Sequence, residues 1–184
     1  MRLSTSAIAL VVGLLINHGA LASEPQRWVS AGGALSEWVV ALGGEPKLVG
    51  VDTTSQHPAT LKTLPSIGYQ RQLSAEGLLS LRPQVLAGTE EMGPPPVLAQ
   101  IRSAGVQVEM FSAQPDLQAL KSNLEQLGTL LGKEAEARAL FGDYEQALQR
   151  QKNRLVKIQA TRQAPGVLLL VGNAGGKPLV AGQD

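Results

Sequence analysis

The chain alternates short apolar stretches of strand length with segments of helical periodicity, and this alternation restricts the fold more than any other feature. Residues 34–42, for example, place Leu35, Trp38 and Val39 on one helical face and end at a Gly-Gly stop. Strands separated by helices of about ten residues form βαβ units around a mostly parallel sheet, so the predicted class is α/β. The predicted strands are 28–31, 48–51, 85–87 and 106–111, with a very short one at 66–68, and the predicted helices are 34–42, 58–64, 74–82, 97–104 and 116–131.

Residues 133–163 contain no proline and a single glycine, Gly142. Their apolar positions recur with helical spacing from Ala137 to Ile158, which predicts one amphipathic helix about 45 Å long. A helix of this length exceeds the width of a small domain and suits a rigid strut between two α/β units. Residues 167–171 are apolar throughout and predict a buried strand that opens the second unit.

Residues 1–22 have the pattern of a cleavable secretory signal. Arg2 precedes an apolar run at 7–16 that is too short to span a bilayer, and Ala20-Leu21-Ala22 is a small-x-small cleavage site. The chain contains no cysteine, which excludes a disulfide framework, a thiolate metal site and a lipid-anchored N-terminal cysteine. We therefore expect soluble export to a Gram-negative periplasm.

The balance of charges argues against nucleic-acid binding, and the absence of catalytic motifs argues against an enzyme. The chain has 16 basic and 15 acidic residues, and residues 1–22 hold one basic and no acidic side chain, which leaves 15 of each. This balance offers no basic face for a nucleic acid. No GxSxG, P-loop or HExxH motif is present, and the one histidine beyond residue 22, His57, lacks an evident Ser or Asp partner pattern. The sequence therefore predicts a binding protein and not an enzyme.

Tyr69 and Arg71 lie two residues apart in a predicted turn that leads into the helix capped by Ser74. Tyrosinate is one of the few protein groups that hold ferric haem iron, and a nearby guanidinium favours the ionised phenol. The guanidinium also matches carboxylate geometry, so Arg71 can instead pair with a ligand carboxylate or remain a solvated surface residue. On residue type alone, a structural role for Tyr69 is the commoner outcome.

The segment 68–83, GYQRQLSAEGLLSLRP, resembles the periplasmic haem-binding proteins of bacterial haem ABC importers, in which the tyrosine of a GYxRxLSAEG stretch is the iron ligand. The stretches VDTTS at 51–55 and GKPLVAG at 176–182 support the resemblance, which covers nearly the whole chain after residue 22. It implies that haem is the transported ligand. It also implies that Tyr69 binds the iron and that Arg71 contacts Tyr69 or a haem propionate.

The resemblance implies a domain organisation as well. It predicts a Rossmann-like substrate-binding lobe at 23–132, a long connecting helix at 133–163 and the start of a second lobe at 164–184. In such proteins the ligand lies in the cleft between the lobes, which open only slightly. Most of the second lobe would follow beyond Asp184, so the chain is expected to be truncated.

The resemblance also suggests partners. Acidic residues on the lobes of these binding proteins dock to arginines of the inner-membrane permease, which makes Glu90 or Glu91 a candidate contact. The alternative is a solvated acidic pair on an exposed loop. An outer-membrane haem uptake system would be an indirect partner.

Two further residues are candidates for the binding site. His57, at a predicted helix start, can be a second iron ligand, an aromatic contact to haem, or an ordinary helix-start residue. Gly33 follows the first strand, where open α/β sheets bind ligands, and can bring the backbone close to the ligand. The turn lacks the third glycine of a dinucleotide fingerprint. The alternative functions are binding of a ferric siderophore or cobalamin, an α/β enzyme, or a non-functional fragment.

Overall fold

The computed structural model describes residues 26–163, 166, 169–174 and 177–181, so the predicted signal at 1–22 lies outside the described residues. The elements alternate as the sequence predicts, and none of the helices within the described ranges is both long and apolar enough to cross a membrane. They are β1 Trp28–Ala31, α1 Gly33–Ala41, β2 Leu48–Val51, α2 Ala75–Ser80, β3 Val85–Thr89, α3 Pro95–Ser103, β4 Gln107–Phe111, α4 Leu117–Leu131, α5 Glu134–Gln159, β5 Leu169–Ala174 and β6 Lys177–Ala181, with 3-10 turns at Glu45–Lys47 and Ala59–Thr63.

The first four strands form one parallel sheet in the order β2-β1-β3-β4, which confirms the predicted α/β class. The chain moves from β1 to β2 on one side and then returns to place β3 on the other side of β1. The connections from the carboxyl ends of β1 and β3 therefore leave in opposite directions. A crevice opens at such a point in parallel sheets, and ligands commonly bind there.

Helices cover both faces of this sheet, because successive strand residues point to opposite sides. Trp28 packs into a core with α1, α4 and the start of α5, and its neighbour Val29 packs into a second core with α2 and α3. The same alternation continues in β3, where Val85 belongs to the first core and Leu86 to the second. The result is a three-layer lobe with the sheet in the middle.

Three predicted elements differ in detail from the structure. The expected strand at 66–68 is a single parallel bridge between Val51 and Ser66, and the expected helix at 58–64 is a 3-10 turn. The long helix is confirmed as α5, but it has 26 residues and spans about 39 Å. Gly132, whose φ of 68° is left-handed, separates it from α4.

The last two described strands, β5 and β6, pair with each other in an antiparallel hairpin. The sequence predicts a buried strand at 167–171, yet the structure starts β5 at Leu169, whose side chain is 60% exposed. The predicted strand is present from Leu169 onward, whereas residues 167 and 168 lie outside the described residues and the burial of the whole run stays a prediction.

Candidate functional site

A cavity of about 590 Å³ opens at the carboxyl edge of the parallel sheet, beside the crevice between β1 and β3. The loops that follow β1, β3 and β4 supply one part of its wall, and α1, α4 and α5 supply the other. Its size lies within the usual range for small-molecule sites. Its lining consists of Gly32, Gly33, Ala34, Leu35, Trp38, Gln70, Thr89, Glu91, the segment 111–117, Leu120, Asn123, Leu127, Tyr144 and Leu148.

Aromatic and aliphatic side chains form much of the cavity wall. Trp38 of α1 and Tyr144 of α5 meet edge to face, with ring centroids 6.1 Å apart and an interplanar angle of 79°. Phe111, at the end of β4, is buried beside them in the first core, and Leu148 lies one helical turn beyond Tyr144. Such a wall suits a large, flat apolar ligand.

Two polar atoms in the wall have no hydrogen-bond partner within the described part of the chain. They are Gln70 Oε1 and Thr89 Oγ1, and both atoms are buried. Leaving a buried polar atom unpaired costs free energy, so such atoms are candidates for contact with a ligand. They add a polar contribution to a mostly apolar cavity.

The Gly32-Gly33 turn joins β1 to α1 at the cavity edge. Gly32 has a φ of 128°, which favours glycine, and Gly33 N donates to Thr54 Oγ1 at 2.9 Å. A Cβ on Gly33 would lie 2.6 Å from Thr54 O, so only glycine fits there. Gly33 thus brings its backbone to the cavity edge, in the position that the sequence suggests.

A buried carboxylate holds this turn, and sequence reasoning did not single it out as a functional residue. Asp52, 2% exposed, accepts from Gly32 N at 3.0 Å and Ser55 Oγ at 2.7 Å through Oδ1. Its Oδ2 accepts from Thr54 N and from Thr54 Oγ1 at 3.2 and 2.7 Å. Ser55 Oγ in turn lies 2.7 Å from Ser36 Oγ of α1. The signal in the sequence is the polar run DTTS placed directly after an apolar strand.

Tyr69 lies in a tight turn beside the cavity. Gln72 N donates to Tyr69 O at 2.8 Å, and Gly68, with a φ of 84°, precedes the turn. Thr53 N donates to Gly68 O at 2.9 Å, which connects this turn to the Asp52 loop. The Tyr69 side chain is 41% exposed and is not part of the cavity lining, whereas the next residue, Gln70, is.

Arg71 pairs with Glu91, which lies in the loop after β3. Arg71 Nη2 donates to Glu91 Oε1 at 2.5 Å. This hydrogen bond raises the pKa of Arg71 above its ordinary value, and the charges of Glu91 and Tyr69 raise it further. Glu90 is oriented differently, because its Oε2 accepts from Ala113 N at 3.3 Å. Of the two acidic residues, only Glu91 lines the cavity.

The structure therefore brings some of the predicted residues together and leaves one apart. Gly33 lines the cavity, while Tyr69 and Arg71 flank it through their neighbour Gln70. His57 is exposed and is not among the lining residues. The aromatic pair Trp38–Tyr144 and the orphaned oxygen of Thr89 were not predicted, because contacts across distant elements depend on the fold.

Known proteins with this architecture bind solutes. The crystal structure of a periplasmic haem-binding protein from Pseudomonas aeruginosa is 66% identical, with a TM-score of 0.82 over 87% of this chain and 57% of that one. The haem-binding protein HutB of Vibrio cholerae is 41% identical, with a TM-score of 0.70 over 86% of this chain and 60% of that one. A vitamin B12-binding protein of Pectobacterium atrosepticum is 25% identical over 155 residues.

The match to the vitamin B12-binding protein covers 84% of this chain and 55% of that protein. The chain thus spans little more than half the length of the relatives it matches. A family model described as periplasmic binding protein matches residues 29–184, which is most of the chain. The parallel sheet, the cavity at its carboxyl edge and the long α5 agree with that match. The chain belongs to the periplasmic binding protein family.

Proposed function

We propose that this chain is the substrate-binding component of a bacterial haem ABC importer, which captures ferric haem and delivers it to the inner-membrane permease. The observation that carries the proposal is the position of Tyr69, exposed on a turn whose next residue, Gln70, lines the cavity. The relatives at 66% and 41% identity, both described as periplasmic haem-binding proteins, support haem as the ligand.

In this proposal Tyr69 binds the ferric iron as the phenolate, and Arg71 supplies a cation beside it. The apolar wall around Trp38 contacts the porphyrin, and the Gly33 turn allows close approach of the backbone. His57, exposed and outside the cavity lining like Tyr69, keeps its candidate roles of second iron ligand, aromatic contact to haem or ordinary helix-start residue.

The remaining parts of the proposal concern the whole protein. Residues 1–22 direct export to the periplasm and are removed, residues 23–132 form the first lobe, and 133–163 connect it to a second lobe beginning at 164–184. Glu90 or Glu91 contacts the permease, and haem arrives from an outer-membrane uptake system. The protein acts by binding and release, without a catalytic step.

The second candidate function is binding of another bulky chelate, either cobalamin or a ferric siderophore. The observation in its favour is the vitamin B12-binding relative at 25% identity. Haem remains the better proposal, because Tyr69 offers an iron ligand beside the cavity and the relatives described as haem-binding have higher identities.

Absorbance during a ferric haem titration tests the proposal. Tyr69→Phe removes only the hydroxyl, so we expect loss of the tyrosinate charge-transfer band and much weaker binding. Tyr144→Phe is the matched comparison, because Tyr144 is the chain's other tyrosine and lines the cavity. Its ring and not its hydroxyl is proposed to contact haem, so the band should persist.

Loss of the band in Tyr144→Phe alone would assign the iron to Tyr144. Cobalamin binding without haem binding would favour the second candidate.

A further inference from the structure

The ion pair between Arg71 and Glu91 bridges two loops at the cavity rim. Their side chains are 53% and 42% exposed. The loops are also joined by two backbone hydrogen bonds, from Leu73 N to Gly93 O at 2.9 Å and from Gly93 N to Gln70 O at 3.0 Å. The backbone contacts hold the loops together independently of the ion pair, and exposed pairs contribute little to stability. The pair is therefore not required for the fold and can be exchanged at little cost.

The Arg71–Glu91 ion pair lies at the cavity rim, where a bound ligand could contact it. Glu91 and Gln70 both line the cavity, and Arg71 lies between Gln70 and the helix that Ser74 caps. Within the described ranges, the one hydrogen bond of the Arg71 guanidinium is the bond to Glu91. A guanidinium has five N–H donors and binds a carboxylate best through two parallel bonds. A second carboxylate that offered two bonds would compete well with this single contact.

We propose that Glu91 is an internal competitor for Arg71: it occupies the guanidinium in the ligand-free protein and is exchanged for a carboxylate of the incoming ligand. The inference rests on the proposed function and extends it to the class of ligand, a metal-porphyrin that carries free carboxylates. Glu91 weakens capture of every ligand by its negative charge at the rim, but a ligand carboxylate that takes over Arg71 offsets that penalty. A ligand without carboxylates makes no such exchange with Arg71.

The test compares ferric protohaem with its dimethyl ester, which keeps the iron and the ring but has no carboxylates. The complete chain, exported with its own N-terminal segment, is titrated as wild type and as Glu91→Gln. We expect Glu91→Gln to bind protohaem about two- to fivefold more tightly, because its competing partner is gone. The affinity for the dimethyl ester should rise by a smaller factor. Glu76→Gln, an equal change of charge on α2, should leave both affinities unchanged.

A double-mutant cycle assigns the effect to the pair. In an Arg71→Gln background, the gain from Glu91→Gln for protohaem should fall to the smaller factor expected for the dimethyl ester, since the charge effect remains but there is no guanidinium to release. Unchanged or weaker protohaem binding in Glu91→Gln overturns the exchange, and so does an equal gain for the dimethyl ester. In both cases a band that still depends on Tyr69 would leave the proposed function intact. Absence of saturable haem binding in every variant would overturn the proposed function and the exchange together.

Discussion

At the scale of single residues, Asp52 links three segments that meet at the cavity edge. Its carboxylate accepts from Gly32 at the start of α1 and from Thr54 and Ser55 in its own loop. The adjacent Thr53 holds the Gly68 carbonyl directly before Tyr69. Four acceptor contacts in a buried position hold the Gly32 turn and the 52–55 loop together, and the Thr53 backbone connects that loop to the turn that carries Tyr69.

Asp52→Asn tests this role. The amide places an NH₂ group among donors, so at least one buried donor loses its partner, and we expect the free energy of unfolding to fall by about 2–3 kcal/mol. Chemical denaturation measures the change. Asp116→Asn is the matched control, because Asp116 is exposed and its Oδ1 accepts from Ala119 N at 2.7 Å as the cap of α4. Asparagine caps helices as well as aspartate, so that change should stay within about 0.5 kcal/mol. Equal effects of the two variants would argue against a special role for Asp52.

At this scale the sequence indicates which residues are candidates for the binding site, but not which residues they contact. Tyr69, Arg71 and Gly33 could be selected because their chemistry and local context are visible in the sequence. The contact of Arg71 with Glu91 could not, since the two lie 20 residues apart on loops that only the sheet brings together. His57 is exposed in the structure, and its role stays a prediction.

At the scale of elements, close packing of α4 against α5 depends on Gly128. A Cβ at this position would lie 2.7 Å from Ala137 Cβ and 3.1 Å from Lys133 O. Gly142, within α5, has nothing within 4 Å of such a Cβ apart from its chain neighbours and the backbone of its own helix. The same substitution at the two glycines therefore separates helix propensity from packing.

We expect Gly142→Ala to stabilise the protein by about 0.5–1 kcal/mol, because alanine loses less conformational entropy in a helix. Gly128→Ala has the same gain in propensity but overpacks the helix contact, so it should be less stable than Gly142→Ala by about 1–3 kcal/mol. Thermal and denaturant unfolding of both variants measure the difference. Similar stability of the two would mean that α4 and α5 pack less closely than described.

Helix α5 also contributes to the cavity through Tyr144, which packs on Trp38. Tyr144→Ala removes this aromatic contact, and we expect haem affinity to fall roughly tenfold while the tyrosinate band persists. Leu155→Ala, on an exposed part of the same helix, should leave the affinity unchanged. The titrations that test Tyr69 also measure these variants. A loss in both variants would indicate a general effect on α5.

For the whole molecule, the sequence predicts the class and order of elements because each is recorded in local periodicity. The strand order β2-β1-β3-β4 is not local, yet it determines where the cavity lies. Burial of a strand is not local either, since it depends on partners elsewhere in the chain. Leu169, apolar by residue type, is 60% exposed in the structure.

The second half of α5 carries an exposed apolar surface formed by Leu155, Val156 and Ile158, which are 56%, 66% and 41% exposed. Contiguous apolar surface promotes association, so we expect this chain to associate as its concentration rises. Leu155→Lys should reduce association, measured by light scattering and sedimentation. Gln151→Lys adds the same charge at an exposed polar position and should have a smaller effect. A monomer at every concentration would contradict the expectation and mean that the surface does not drive association.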